Sequence, residues 1–311
     1  MEIIAGTEDS NMNYIIVDFE WNQPASEATT ITEPIRFDSE IIEIGAVKVN
    51  ENFDRINEFS TYIRPSFYPV MHGGVARLTK IRTQDLANAL SFPAAYRQFS
   101  NWCGEDYCLC TWGTNDVPVL LDNMLMHGLE TPNSVFWCDL QKIFGAEMMR
   151  DEKKWSLEKA VDLLGLAKER AHDALNDARN TCSICERLDI ASYVDEYVCN
   201  YVNYASDRLN GFISGKAFMS IEAAQSDEAF SSMVCPYCGE KIQLGVWIRF
   251  SKHASLSYAQ CSQGDEFLAR FHSRSSSSDL LVARSILGMS DVLWDDYQDA
   301  LERSESYACC A

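Results

Sequence analysis

The sequence is short of positive charge. Its 26 lysines and arginines stand against 46 aspartates and glutamates, which gives a formal net charge of −20. A general nucleic-acid coat protein needs a basic face, so this balance argues against one. It does not exclude an enzyme, because an enzyme can gather carboxylates around cations and hold a charged polymer through those cations.

Long apolar runs are also lacking. No stretch approaches the length that crosses a bilayer. The first residues, MEIIAGTEDSNMN, have neither the basic start nor the long apolar segment of a secretion signal. We therefore expect a cytoplasmic protein without membrane association. An apolar content of 47% with 23% charge indicates a globular chain rather than a disordered one.

Disulfides are a third expected absence. The chain has twelve cysteines, and in an intracellular protein these are thiols or metal ligands. Cys182 and Cys185 have CxxC spacing but fall in a predicted helix. We interpret this pair as buried thiols.

The stretch YIIVDFEWN, residues 14–22, contains the first chemical signal. Its apolar start predicts a strand that is buried on both faces. Asp18 and Glu20 are two residues apart, so their side chains lie on the same side of that strand. Two carboxylates at the end of a buried strand repel each other and are costly to desolvate, and a metal ion would remove that cost.

The order of the predicted elements indicates an α/β fold with a mixed sheet. Further strands are predicted at EIIEIGAVKV (40–49), EFSTYIRP (58–65), YCLCTWG (107–113) and SVFWCDL, with helices between the later ones. The predicted organisation begins with a tail at 1–11, an α/β domain at 12–206 and a polar linker at 207–232 with one candidate short helix. A small β domain at 233–275 and a polar and acidic tail at 276–311 with a candidate helix follow.

Two more places carry candidate chemistry. TWGTND puts Asp116 just past the end of a strand, and AHDALNDARNT puts His172 before a helix with Asp177 one turn into it. Four carboxylates meeting at one edge of the sheet would imply divalent metal. Two alternatives remain open. Asp116 could be a helix N-cap, and Asp173, next to His172, competes with Asp177 as the metal-binding acid but could instead be a capping acid.

These residues resemble the DEDDh class of 3′–5′ exonucleases, in the branch of histone-mRNA and RNA-interference exonucleases with bacterial KapD-like relatives. The resemblance covers roughly residues 12–192. The segments that carry it are VDFEWN, EIIEIGAVKV, YIRP, LTKI, TWGTNDV, WCDL and HDALNDARNT. One departure is Lys80 in LTKI, where the family usually has glycine.

The resemblance implies a ribonuclease H-like fold, with a mixed five-stranded sheet flanked by helices, and two-metal phosphodiester hydrolysis. Two Mg²⁺ or Mn²⁺ ions about 4 Å apart would flank the scissile phosphate. The metal-binding acids fall on Asp18, Glu20, Asp116 and Asp177, and the general base falls on His172. An imidazole is suited to that proton transfer near neutral pH. The product would be a nucleoside 5′-monophosphate.

The resemblance also implies where substrate binds. Leu78 and Thr79 of LTKI fall near the 3′ terminal nucleotide. Trp21, Asn22 and Trp112 are further candidates, since aromatic stacking is a common way to hold single strands. We expect single-stranded RNA 3′ ends as the substrate. A DNA proofreading-type exonuclease shares every catalytic residue, and a non-catalytic regulatory protein that uses this fold for binding is a third possibility.

The C-terminal region has its own metal motif. CPYCG places Cys235 and Cys238 in a tight turn before a β hairpin, as in a zinc-ribbon knuckle, and Cys261 could be a third ligand. The fourth ligand is unresolved, because His253 and His272 fall too far along the hairpin and Asp265 is a poorer zinc ligand. A ribbon that has lost its zinc is the alternative.

The residues that follow CPYCG have a regular apolar alternation. Ile242, Leu244, Val246, Ile248 and Phe250 would share one face of a single strand. The segment is mildly basic and contains several aromatic residues. These could form a small core, guide RNA or bind a protein partner.

Overall fold

The computed structural model describes residues 13–149, 154–211, 213, 215–251, 253–275 and 280–308. The predicted tail at 1–11 and residues 276–279 lie outside these residues. Contacts within the chain divide it into two compact units. The first unit comprises the described residues of Glu2–Thr131 and Phe136–Val198, and the second unit those of Pro132–Val135 and Cys199–Ala311.

The first unit is built on a mixed sheet. Its strands are β1 (Asn13–Asn22), β2 (Glu40–Val49), β3 (Arg55–Tyr62), β4 (Tyr107–Thr111) and β5 (Ser134–Asp139). They lie in the order β3–β2–β1–β4–β5. The pairs β1–β2 and β2–β3 are antiparallel, whereas β1–β4 and β4–β5 are parallel. This arrangement confirms the predicted α/β fold with a ribonuclease H-like five-stranded sheet.

Helices connect and cover these strands. They are α1 (Gly73–Thr79), α2 (Phe92–Cys103), α3 (Asp116–Met126), α4 (Leu140–Phe144), α5 (Leu157–Leu163), α6 (Ala174–Cys185) and α7 (Val194–Tyr197). Short 3₁₀ turns lie at Glu27–Thr29, Thr83–Leu86 and Ile190–Ser192, and a π-helical turn lies at Gly145–Met149.

The core of the first unit explains its cysteines. Cys110 and Cys138, on neighbouring strands, lie in one buried cluster with Cys182 and Cys185 of α6. Burial raises the pKa of Cys182 to about 11, so this thiol is neutral and acts as a small apolar side chain. Every cysteine in the described residues is free of disulfide bonds. The interpretation of Cys182 and Cys185 as buried thiols is confirmed.

The second unit contains β6 (Val198–Val202), β7 (Lys216–Phe218), β8 (Ser232–Val234), β9 (Lys241–Gln243), β10 (Ile248–Ser251), β11 (Ala254–Gln260), β12 (Glu266–Ser275) and β13 (Leu280–Gly288). Strands β10 to β13 form an antiparallel sheet in chain order, and both β6 and β7 pair with β13. Strands β8 and β9 form a separate hairpin. The helices are α8 (Tyr204–Leu209), α9 (Ile221–Ser226) and α10 (Asp291–Ala308).

The structure divides the chain differently from the sequence prediction. The segment predicted as a linker, 207–232, contains β7 and α9 and belongs to the second unit. Arg284 of β13 explains this: its buried guanidinium pairs with Asp207 and donates to the carbonyls of Ala229 and Ser232. The predicted tail likewise begins with a strand, β13, and the helix expected there is α10.

The single alternating strand predicted over 242–250 is also wrong. Strand β9 ends at Gln243 and β10 begins at Ile248, because Gly245 turns to donate its N–H to the carbonyl of Tyr258 at 2.9 Å. Val246 consequently points to solvent, with 82% of its surface exposed, whereas Ile242 and Ile248 stay buried.

Among the described residues, no helix combines the length and apolar character that spanning a membrane would require.

Candidate active site

One cleft in the first unit gathers the predicted catalytic residues. Its volume is 510 Å³, and it is lined by the four acids and the histidine that the sequence singled out. These five are Asp18, Glu20, Asp116, His172 and Asp177. They come from three separate segments of the chain, and the fold brings all of them to a common surface.

Strand β1 supplies the first two acids. Asp18 lies directly opposite Gly45 of β2, and Glu20 lies opposite Glu43. Residues that face each other across paired strands project to the same side of the sheet. The register therefore adds a fifth carboxyl group, Glu43, next to the predicted four.

Gly45 determines how closely α6 approaches this side of the sheet. A Cβ atom at residue 45 would overlap the backbone of Ala174 and Leu175, the first residues of α6. Only glycine permits this contact. Asp177 lies in the first turn of α6, so the absence of a side chain at Gly45 allows Asp177 to reach the cleft beside Asp18.

Asp116 is held by a backbone hydrogen bond from β1. Its Oδ1 accepts from the backbone N–H of Phe19 at 3.2 Å. Because Phe19 lies between Asp18 and Glu20, this bond holds the carboxyl group of Asp116 close to both acids. The N-cap of α3 is Asn115, and Asp116 is the first residue of the helix. The simpler interpretation of Asp116 as an N-cap is therefore wrong.

His172 lies in the loop before α6, in a left-handed backbone conformation with φ of 61°. The backbone N–H of His172 donates to Asp177 Oδ2 at 2.9 Å, so the two residues fix each other's position. The helix is capped by Asp173, whose carboxylate accepts from the N–H of Asn176 at 3.2 Å. Asp173 is thus the capping acid, as one interpretation of the sequence held.

Burial and crowding raise the pKa values of the cleft acids. Burial raises the pKa of Asp18 well above its ordinary value, and the surrounding carboxyl groups raise it further. Burial, followed by the charge of Asp177, raises the pKa of Glu20 to about 8. Burial also raises the pKa of Asp116 to about 7. These groups cannot all be ionised at neutral pH unless positive charge is bound among them.

This donor set fits divalent cations. The carboxylates of Glu20 and Asp177 each offer a ligand atom, and these atoms lie within 4.8 Å of each other and of a ring nitrogen of the proposed base, His172. Carboxylate oxygens are the ligands that Mg²⁺ and Mn²⁺ prefer. A bound cation would offset both the repulsion and the desolvation that raise the pKa values.

The predicted substrate-binding residues divide into two groups. Trp21, Leu78, Thr79 and Trp112 all line the cleft, and Leu78 is 52% exposed. Asn22 is a correction. It is fully buried, its Nδ2 donates to the carbonyls of Tyr68 and Val70, and its Oδ1 accepts from the N–H of His72. Asn22 has no group left for a nucleotide and instead holds the loop before α1.

Sequence reasoning gave no role to two residues of this region. His72 lines the cleft and caps α1, with Nδ1 accepting from the N–H of Gly74 at 3.2 Å. Glu43 accepts from the N–H of Ala174 at 3.3 Å, and burial raises its pKa to about 7. Glu43 lies in the predicted strand EIIEIGAVKV, but only the pairing of β1 with β2 shows that it faces Glu20.

A second group of candidate ligands lies in the second unit. The ligand atoms of Cys235, Cys238, Cys261 and Asp265 all lie within 4.8 Å of one another. The three predicted cysteines thus come together. His253 and His272 are not in this group, and the described residue that joins the three is Asp265.

The family follows from a comparison with known proteins. Residues 15–185, more than half of the 311-residue chain, match the model of the family described as Exonuclease, RNase_T. The chain belongs to the exonuclease family. The match contains all five residues of the cleft that were singled out above, and it confirms the resemblance drawn from the sequence.

The individual proteins that resemble this chain have low sequence identity to it. The ERI1 exoribonuclease 2 of Xenopus laevis is 25% identical over 200 residues, which cover 56% of this chain and 28% of that protein. The chain thus spans less than a third of that relative. Among solved structures, the nuclease domain of 3′hExo, a DEDDh family member, bound to rAMP is 24% identical, with a TM-score of 0.49 over 58% of this chain and 92% of that chain. Exonuclease I of E. coli in complex with a dA16 oligonucleotide is 13% identical, with a TM-score of 0.45 over 93% of this chain and 67% of that chain.

Gly45→Ala tests how α6 is positioned. The added methyl group overlaps the backbone of Ala174, so we expect a loss of roughly 1–3 kcal/mol in the free energy of unfolding. Mn²⁺ affinity should fall as well, since α6 carries Asp177. Denaturant unfolding and calorimetric Mn²⁺ titration measure the two effects. Gly73→Ala is the matched control, because a Cβ there meets only Arg77 Nη1, at 3.8 Å. Equal stability of both variants would contradict this account.

The raised pKa values predict how stability depends on pH when metal is removed. The folded protein keeps a proton on Glu20 up to about pH 8, whereas the unfolded chain loses it near pH 4.5. Between these values the folded state binds more protons, so its stability falls as pH rises. We expect the melting temperature in chelator to decrease from about pH 5 to about pH 8, and Mn²⁺ to restore it most at the alkaline end.

Glu20→Gln should flatten this pH dependence. Glu27→Gln should leave it unchanged, because Glu27 is exposed and pairs with Arg36 outside the cleft. A melting temperature that rises with pH in chelator, or one that Mn²⁺ does not change, would show that the cleft acids are not a repelling cluster.

Proposed function

We propose that this chain is a metal-dependent 3′–5′ exonuclease that acts on single-stranded 3′ ends, with RNA as the favoured substrate. The products would be nucleoside 5′-monophosphates. One observation carries the proposal: Asp18, Glu20, Asp116, His172 and Asp177 line the same cleft. Membership of the exonuclease family supports it.

The roles of the cleft residues follow from their chemistry. Asp18, Glu20, Asp116 and Asp177 would hold two Mg²⁺ or Mn²⁺ ions. When bound, these cations supply positive charge to the scissile phosphate and lower the pKa of the attacking water. His172, whose backbone is fixed by Asp177, would accept the proton of that water. It is exposed at the edge of the cleft, where a water molecule can reach it.

The side chains of the cleft wall favour single-stranded substrates. Trp21 and Trp112 offer aromatic surfaces, and exposed Leu78 offers an apolar one, for unpaired bases. The preference for RNA is supported by the similarity to an exoribonuclease. The large net negative charge makes cation-mediated contact with phosphates more important than a basic surface.

Asp18→Asn tests the proposal most directly. A 5′-labelled single-stranded RNA and a DNA of the same sequence are incubated with Mn²⁺ or with chelator. Wild-type protein should shorten the RNA stepwise from its 3′ end, only with metal, and faster than the DNA. Loss of several kcal/mol of charge stabilisation should slow Asp18→Asn by roughly a thousandfold.

Asp38→Asn is the matched control, since Asp38 forms an exposed pair with Arg36 outside the cleft. Undiminished trimming by Asp18→Asn would refute the metal-binding role. Faster trimming of DNA would favour a DNA exonuclease, and no trimming of any substrate by wild-type protein would favour the non-catalytic alternative.

His172→Asn tests the proposed base. Asparagine tolerates the left-handed conformation at this position, so the loop should keep its shape. We expect the rate to fall by roughly a hundredfold to ten-thousandfold, while Mn²⁺ affinity stays close to that of wild type. The acidic limb of the pH–rate profile should disappear. His253→Asn, at an exposed turn of the second unit, is the control, and a wild-type pH profile in His172→Asn would exclude this role.

A further inference from the structure

The strongest feature outside the cleft is a pair of facing turns in the second unit. The first turn, Cys235 to Gly239, lies between β8 and β9, and the N–H of Gly239 donates to the carbonyl of Cys235 at 3.0 Å. The second, Cys261 to Asp265, lies between β11 and β12, and the N–H of Gly264 donates to the carbonyl of Cys261 at 3.0 Å. Each turn has its glycine at positive φ, although the closing hydrogen bond spans four residues in the first turn and three in the second.

We propose that these two turns bind one zinc ion through Cys235, Cys238, Cys261 and Asp265, with Asp265 as the fourth ligand. The sequence supplied the three cysteines and left the fourth position open. The second turn has no cysteine or histidine where a second knuckle would place one. The fold instead puts the carboxylate of Asp265 among the three sulfur atoms.

Distances between the ligand atoms support a tetrahedral site. Asp265 Oδ2 lies 3.0 Å from Cys261 Sγ and 3.4 Å from Cys235 Sγ. Zinc bonds of about 2.0–2.3 Å put the corners of a tetrahedron roughly 3.3–3.8 Å apart. These two distances are within a few tenths of an ångström of a tetrahedral edge, and all four ligand atoms lie within 4.8 Å of one another.

The backbone also supplies hydrogen-bond donors to the sulfur atoms. In the first turn, the N–H groups of Tyr237 and Cys238 donate to the sulfur of Cys235. In the second turn, the N–H of Asp265 donates to Cys261 Sγ at 3.3 Å. Backbone donors aimed at two sulfur atoms match the needs of deprotonated ligands, which a zinc ion requires.

The alternative is a metal-free cluster in which two thiols donate to one carboxylate oxygen. That arrangement uses the same contacts between Asp265 and the sulfur atoms of Cys235 and Cys261. In that arrangement Cys238, which is exposed, makes only thiol hydrogen bonds with Cys235 and Cys261. Zinc accounts for all four residues.

A zinc ion here would be structural. Strands β8 and β9 have three residues each, and so short a hairpin is marginal without further support. The first turn also carries Tyr237, whose ring stacks on Phe267 and whose hydroxyl accepts from Asn200 Nδ2 at 2.8 Å. Zinc would therefore fix the hairpin and Tyr237 against the larger sheet of the second unit.

The test uses the full chain, purified without chelator and analysed for zinc by mass spectrometry. We expect roughly one zinc ion per chain. Asp265→Asn keeps the shape of the side chain but removes its charge, and should weaken zinc at least tenfold in competition with a chromophoric chelator. Asp265→Cys should bind zinc at least as tightly as wild type. The Co²⁺-loaded protein should show the visible bands of a tetrahedral site with thiolate ligands.

Two controls match these variants. Glu266→Gln removes the neighbouring acid, which accepts from Tyr258 instead, and Cys199→Ser removes a cysteine of the same unit outside the group. Both should retain zinc. Unchanged zinc affinity in Asp265→Asn, with affinity lost in Cys238→Ser, would exclude Asp265 as a ligand. Failure of the wild-type chain to bind Zn²⁺ or Co²⁺ after reduction would establish the metal-free cluster instead.

Discussion

The central physical constraint in this structure is the mutual repulsion among carboxyl groups in a half-buried cleft. Asp18 and Glu20 share one side of β1, and the register of β2 adds Glu43. The close approach of α6 over Gly45 brings Asp177 to the same place. Such a cluster is unfavourable by itself, because burial and like charge both oppose ionisation. Bound cations would convert that cost into affinity, so the same geometry that destabilises the metal-free protein prepares it for a phosphodiester.

Much of this site could be predicted from sequence because each acid is marked locally. Asp18 and Glu20 follow an apolar run, and the spacing between His172 and Asp177 is a motif of consecutive residues. The position of Lys80 also has a local explanation. It ends α1 at φ of 68°, a backbone conformation that favours the glycine usual in the family. Glu43 could not be found in this way, because its place opposite Glu20 depends on how two strands pair.

The errors have a similar origin in long-range contacts. Asn22 follows a catalytic motif, but its amide is used entirely by the loop before α1, which no local pattern indicates. The segment around Asp207 is polar and was interpreted as a linker, yet its carboxylate pairs with buried Arg284 of β13, far along the chain. Asp265 lies near the three cysteines only because two turns that are distant in the sequence face each other, which no local pattern indicates.

Metal binding in the cleft is the central claim, and crystals soaked in Mn²⁺ test it most directly through anomalous scattering. We expect two anomalous peaks bordered by Asp18, Glu20, Asp116 and Asp177. Both peaks should weaken or vanish in Asp18→Asn. A cleft that stays free of anomalous signal in saturating Mn²⁺, while the same protein still trims RNA in solution, would contradict the account.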